Sequence, residues 1–251
     1  MDAVTAQVAH RPYPLPPGPW VMSQVWHDLL FMHWPVPAAE LRQAMPHNLP
    51  LDTWNGQAYL AVVPFRMSGV RPRGLPAVPG VSAFPELNVR TYVNIDGKAG
   101  VYFFSLDAGN KLAVRLARAL FHLPYFDAQM ELVRDPESEA ITYRSERTHK
   151  GAPAAALQAR YRPVAAVELA QPGSLEAWLT ERYCMYPVDR RGQLYRGEIH
   201  HEPWPLQRAT AEITTCTMSA PIGISLSGPP PLLHFARRLE VVVWPLQKLR
   251  A

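Results

Sequence analysis

The chain has 251 residues, of which 48% are hydrophobic and 18% charged, so it is long and apolar enough to bury a sizeable core and disorder is excluded. The net charge is +4, but it is carried by arginine: the only lysines are Lys98, Lys111, Lys150 and Lys248. With no dense basic run and no nucleic-acid-binding motif, a nucleic-acid partner is not expected.

In chain order, residues 1–24, with "RPYPLPPGPW", read as an extended N-terminal arm, and 25–251 as a single domain. The first residues have an acid at position 2 and no apolar core, so no secretory signal is expected. No uninterrupted apolar run reaches transmembrane length; the expected compartment is the cytoplasm, without membrane contact. "VWHDLLFMHWPV" (Val25 to Val36) reads as a strand, and "VPAAELRQAMP" as a short helix between Pro37 and Pro46. "NGQAYLAVVPF" opens on a turn and continues as a strand; "RMSGVRPRGLPAVPGVSAF" reads as a long loop. "SAFPELNVRTYVNIDGKAGVYFFSLD" predicts a hairpin turning at Asp96-Gly97.

Beyond it, Leu112, Leu116, Ala119, Leu120 and Leu123 follow helical spacing, with Lys111, Arg115, Arg118 and His122 on the opposite side, Asn110 or Asp107 as cap and Pro124 as stop. "FDAQMELVRD" and "EAITYRSERT" predict a second hairpin, and "ALQARYRPV" a further strand. "GSLEAWLTERYCMY" predicts a helix capped by Ser174. "RRLEVVVWPLQ" reads as a final strand. Proline is abundant, at 27 residues, and spread along the chain, which suits many rigid turns rather than a polyproline tract. Many short strands and about three helices predict an α+β fold, mainly antiparallel β, built as a barrel or wrapped sheet.

The first strand of the Ser82–Asp107 hairpin carries Glu86, Asn88, Arg90, Tyr92 and Asn94 on one face and Leu87, Val89, Thr91, Val93 and Ile95 on the other. Residues two apart on a strand stand about 6.6 Å apart, so Glu86 and Arg90 lie about 13 Å apart and mark two ends of a polar stripe. Turned inward, Glu86 needs a partner or a raised pKa, the property of a general acid or base. Turned outward, the same stripe is an ordinary wet face. Arg66, Arg71 and Arg73 sit close by, and arginine forks suit carboxylates or phosphates.

His27 and His33, six apart, share a face of a regular strand, yet the separation of about 20 Å forbids shared metal coordination. His200 and His201 are adjacent and point to opposite faces, so only one can join a site. Cys184 and Cys216 form neither a disulfide framework nor a paired-cysteine zinc site. No G-x-S-x-G, GxxxxGK[ST] or GxGxxG motif occurs, which disfavours common hydrolase, ATP and NAD chemistry. No metal and no cofactor are expected.

Several segments carry a family likeness: "LLFMHWPVPAAELRQAMPHNLPLDTWNGQAYLAVVPFRMSGVRPRGLP", "FPELNVRTYV", "GVYFFSLDA", "LPYF" and "LTERY". In this order they closely resemble the bacterial YqjF-like family, from about Val25 to Trp244, and are more distantly similar to acetoacetate decarboxylase. The resemblance implies an acetoacetate-decarboxylase-like closed, cone-shaped β-barrel with flanking sheet, its interior a ligand cavity. In acetoacetate decarboxylase a lysine forms a Schiff base with the ketone. "LRQAMP" looks like that enzyme's L-R-x-x-x-P helix, Glu86 matches its cavity glutamate, and His27 falls near its arginine. The lysine-bearing segment resembles "ARALFHLPYF", where Pro124, Tyr125 and Phe126 stand and no lysine does.

The expected function is therefore binding of a small anionic or carbonyl-bearing ligand in a barrel cavity, with acid–base rather than Schiff-base chemistry available. Whether the chain is an enzyme stays open at this level. Glu86 is the expected acid or base; Arg90 with Arg66 or Arg71 anchors charge, and Asn88 and Tyr92 orient the ligand. The alternative is a non-enzymatic interaction protein meeting an acidic partner through surface arginines. Either can be a homo-oligomer.

Overall fold

The structure is a computed structural model that describes residues 3–249. Strand β1 (Met22–Val36) leads into the short helix α1 (Ala38–Ala44), which ends before Pro46 because the residue preceding a proline favours extended backbone. Asn55 and Gly56, both at positive φ, turn the chain into β2 (Ala58–Pro72). β3 (Phe84–Ile95) and β4 (Lys98–Ala108) form a hairpin across Asp96 and Gly97, whose φ values of 53° and 75° are those a tight hairpin turn requires. Helix α2 (Lys111–Phe121) starts where the Asn110 side chain accepts hydrogen bonds from the Leu112 and Ala113 amides, and stops at His122 in left-handed conformation.

β5 (Tyr125–Arg134), β6 (Ile141–Arg147) and β7 (Ala156–Pro163) form a meander. The short β8 (Glu168–Leu169) precedes α3 (Leu175–Thr180), capped by Ser174. β9 (Cys184–Met185), β10 (Tyr195–His200), β11 (Pro205–Cys216), β12 (Leu232–Val243) and β13 (Gln247–Lys248) complete the chain.

Two segments differ from the sequence reading. Residues 66–72, expected in a loop, extend β2, because they pair with the start of β1 through Ser23 to Arg71 and Met22 to Pro72. Gly69, at φ 60°, lies where this ladder shifts register, a place for a β-bulge. The helix begun at Ser174 ends at Thr180 instead of running to Tyr183, which frees Arg182 and Cys184 to reach the sheet.

The sheet closes twice. β12, β1, β2, β3, β4, β5, β6, β7 and β11 form a nine-strand barrel that returns to β12, antiparallel throughout except for the parallel β4–β5 pair. A smaller ring closes on the other side of the shared strands: β4 pairs with β9, β9 with β10, and β10 with β12. The five strands β12, β1, β2, β3 and β4 thus belong to both rings. In β3, every residue from 86 to 93 is buried, on both faces.

Large buried side chains fill the nine-strand barrel. Leu87 and Val89 of β3 meet Tyr143, Leu157, Tyr161 and Phe235. The Tyr143 hydroxyl donates to the Glu86 backbone carbonyl (2.7 Å), and that of Tyr161 to the Asp28 carbonyl (2.8 Å). Arg147 of β6 grips Asp107 of β4 with two hydrogen bonds of 2.7 Å. Removing one partner of such a buried pair leaves an uncompensated charge.

Closure of the smaller ring depends on close approach at Gly100. A Cβ there would lie 2.6 Å from the Cys184 carbonyl oxygen and 2.7 Å from the Tyr186 ring. Gly100→Ala is therefore expected to push β9 away from β4 and to lower stability by about 1–3 kcal/mol in urea titration. An unchanged midpoint would show that β9 is free to yield.

Candidate functional site

The smaller ring encloses a cavity of about 340 Å³. The cavity that the family likeness places in a barrel interior is therefore found inside this second closure. β3 contributes Glu86, Asn88 and Arg90 to the wall. Their alternation points all three inward, while Leu87 and Val89 pack into the other barrel. Around them stand Phe65, Phe103, Tyr125, Arg182, His201 and Trp204, and α2 with residues 76–82 forms the rim.

Glu86 is 3% exposed. Its Oε2 accepts a hydrogen bond from the Tyr125 hydroxyl (2.7 Å). Burial pushes the Glu86 carboxyl up to about 8, against the lowering effect of that hydrogen bond and with a further upward push from Asp107. Glu86 is therefore neutral at pH 7. Burial and the adjacent carboxyl raise the Tyr125 phenol well above its ordinary value, so it stays a donor.

Arg90 lies over the ring of Phe31 (5.2 Å to the centroid) and near that of Tyr92 (5.9 Å). Among the described residues no carboxylate stands within ion-pair distance of it, and its Nε and Nη2 have no hydrogen-bond partner. Arg182 is tied on one side, Nη1 donating to Asp52 (2.7 Å) and Nε to the Trp178 carbonyl (2.5 Å), which leaves Nη2 unpartnered. The His201 Nδ1 donates to the Glu202 carbonyl (2.7 Å), so its unpartnered Nε2 carries the lone pair. Burial lowers the His201 ring to about 3, which keeps it neutral. Asn88 Oδ1 and the indole nitrogens of Trp26 and Trp204 are likewise buried without partners. Seven such side-chain atoms belong to residues of one cavity wall, whereas buried polar groups are ordinarily satisfied.

The remaining residues singled out from the sequence are placed as follows. Arg71 stands exposed at the cavity rim. Tyr92 is fully buried behind the wall, its hydroxyl 2.6 Å from His33 Nε2, between the cationic groups of Arg90 and Arg182. Arg66 and His27 face each other across β1 and β2 and lie outside the wall. His27 Nε2 meets the Ser68 hydroxyl at 2.7 Å instead. His27 and His33 do not share a face: Asp28, at φ 52°, interrupts β1 with a register shift and inverts the alternation beyond it. Of the adjacent histidines, His201 enters the cavity and His200 turns to Arg11.

The leucines at helical spacing on α2 are not its packed face. Leu112, Leu116 and Leu120 are half or more exposed, while Arg115 and Arg118 hold β5 through Asp127 and the Tyr125 carbonyl. Tyr125 and Arg182 had no signal of their own in the sequence. Tyr125 stood out only as a place without lysine, and Arg182 sat inside an overlong helix. None of the four lysines lines the cavity.

A double-ring sheet of this topology around an internal cavity defines an acetoacetate-decarboxylase-like fold. Solved structures share it: an enduracididine biosynthesis enzyme, MppR, complexed with pyruvate (TM-score 0.61, 12% identity, 96% of this chain and 93% of that one) and an acetoacetate decarboxylase-like enzyme from Sphingomonas wittichii RW1 (0.60, 12%, 94% and 98%). The chain belongs to the DUF2071 family of uncharacterized conserved proteins, whose model matches residues 23–240. It is 48% identical over 245 residues to the uncharacterized protein YqjF of Bacillus subtilis strain 168, covering 98% of this chain and 99% of that protein.

The neutral carboxyl makes a pH prediction. An ordinary glutamate ionises near 4.5, and Glu86 in the fold near 8. Between those values the folded chain holds a proton that the unfolded chain has released, so stability falls as pH rises through the window. Glu86→Gln, neutral throughout, lacks this contribution. Its stability relative to the parent is expected to rise by up to a few kcal/mol between about pH 5 and about pH 9. Urea titrations of both proteins at the two pH values measure it, and a constant difference would place an ionised Glu86 in the fold.

Proposed function

We propose that the cavity binds a small organic acid bearing a carbonyl group, with Arg90 and Arg182 holding the carboxylate and Glu86 as the proton-carrying group beside the carbonyl. The observation that supports this most directly is Arg90: a buried guanidinium with free donors and no carboxylate partner among the described residues. A buried cation of this kind is costly unless an anion offsets it. Arg182 adds a second free donor on the same wall.

Glu86 complements the pair. Tyr125 donates to Oε2, so in the neutral carboxyl the hydroxyl proton belongs on Oε1, available to an acceptor such as a carbonyl oxygen. A protonated carboxyl in that position can polarise a carbonyl and shuttle a proton beside it. His201 Nε2 supplies a neutral acceptor on the same wall. The reading needs no covalent lysine. That pyruvate is bound by MppR, a fold neighbour, agrees with an oxo acid as ligand class. Arg71 at the rim would draw such anions toward the entrance.

The test compares heptanoate with 6-oxoheptanoate, whose carbonyl stands several carbons from the carboxylate as the separation of Glu86 and Arg90 requires, by calorimetric titration. Arg90→Gln should weaken both about ten- to a hundredfold, the effect of losing a charge-assisted hydrogen bond. The oxo acid should bind more tightly than heptanoate below about pH 8 and lose that advantage above it, as Glu86 ionises. In Glu86→Gln the pH dependence should vanish. Equal affinities for both acids at every pH would remove the role given to Glu86. Borohydride reduction in the presence of 6-oxoheptanoate should leave the protein's mass unchanged; a covalent adduct would reinstate an amine nucleophile.

A further inference from the structure

The cavity is larger and more apolar than a three-carbon acid requires. Its volume of about 340 Å³ has room for many more atoms than a three-carbon acid supplies. The polar atoms do not occupy the whole wall. They belong to side chains at its buried end: Glu86, Asn88, Arg90, Arg182 and His201 are all under 9% exposed. Apolar groups complete the enclosure, among them Phe65, Met67, Phe84 and Phe103. At the opposite extreme, Val78, Leu116 and Leu120 line the same cavity and are 54%, 50% and 65% exposed. Gln24 and Arg71 apart, polarity thus decreases from the closed end to the mouth. A short acid seated on Arg90 would leave much of this apolar wall facing water.

The orientation of α2 strengthens the point. The helix has polar residues available, yet its arginines are committed to β5 and its leucines are left at the entrance. Exposed leucines on a rim are costly to keep wet, and they gain from any apolar group that passes between them.

We propose that the acid held in this cavity carries an apolar chain or ring of several carbons, its carboxylate at the Arg90–Arg182 end and its tail running past the aromatic wall toward Leu116 and Leu120. The inference rests on the anion-binding reading above and adds the class of tail. Straight-chain carboxylates from acetate to decanoate, titrated against the protein with the fluorescence of Trp26 and Trp204 as signal, test it directly. The dissociation constant should fall about three- to fourfold per methylene until the tail reaches the mouth, and then level off. Arg90→Gln should weaken every member by a similar factor and keep that slope. Leu120→Asp, an exposed change that leaves the fold intact, should weaken only the longer acids.

The outcomes separate the two claims. Acids that bind with an affinity independent of chain length would overturn the apolar tail and leave the anion site standing. Alcohols that bind as tightly as the acids of equal length would keep the tail and overturn the anion site. Absence of binding by any member at millimolar concentration would overturn both.

Discussion

Because β12, β1, β2, β3 and β4 serve two closed rings at once, the middle of β3 is enclosed on both faces, every residue from 86 to 93 being buried. A side chain on such a strand must be either packed or given a partner inside the protein. On the nine-strand side the requirement is met by packing: Leu87, Val89, Tyr143 and Tyr161 fill the lumen, and the tyrosine hydroxyls turn back to main-chain carbonyls. On the other side the same strand presents Glu86, Asn88 and Arg90. Their burial is imposed by topology, so their chemistry is set by whatever shares the enclosure with them. The close contact of Gly100 with Cys184 lets the second ring shut, and so underlies the altered state of Glu86.

The strand repeat also keeps the acid and the base apart. With about 13 Å between positions four apart, Glu86 and Arg90 cannot neutralise each other, and each meets the low dielectric alone. The carboxyl responds by holding its proton, because burial favours the uncharged form. A guanidinium does not have that option, since it remains protonated at any ordinary pH. It rests instead on the faces of Phe31 and Tyr92, an interaction that compensates part of the lost hydration and leaves its Nε and Nη2 donors free. One strand thus carries a neutral acid and a charged donor into the same cavity, separated by an amide.

Much of this was legible in the residues, for reasons that can be stated element by element. The Asp96-Gly97 turn and the alternation from Glu86 to Asn94 depend on local backbone chemistry, and the hairpin and the grouping of Glu86, Asn88 and Arg90 on one face follow from them. The direction of that face is not local. It depends on a second ring closed by the two-residue strand β9 through its pairings with β4 and β10, and two residues carry no periodicity to read. The family likeness supplied a closed barrel, but not which of two closures holds the cavity. His27 illustrates a different limit. Asp28 in left-handed conformation inverts the alternation of β1, and no turn signature surrounds it in "WHDLL". Leu116 and Leu120 show a third: helical spacing identifies an apolar stripe, but only the pairing of Arg115 with Asp127 reveals that the stripe is turned to the cavity mouth.

None of the four lysines lines the cavity wall, so a Schiff base is not the kind of activation available there. A Schiff base withdraws electrons through a covalent iminium; Tyr125 cannot form one, and its hydroxyl is engaged with Glu86. An acceptor bound next to Glu86 would instead be polarised by hydrogen bonding, a weaker but reversible form of activation that leaves no intermediate to hydrolyse. Its strength depends on the carboxyl staying protonated, and therefore on a dry cavity. Water admitted through the mouth would relieve the desolvation that raises Glu86, lower its pKa and remove the proton. An apolar occupant between Phe103, Leu116 and Leu120 would do the reverse by excluding solvent from the wall. The tail of such a ligand and the proton on Glu86 would in this way be coupled: the group filling the entrance would also maintain the acid at the closed end.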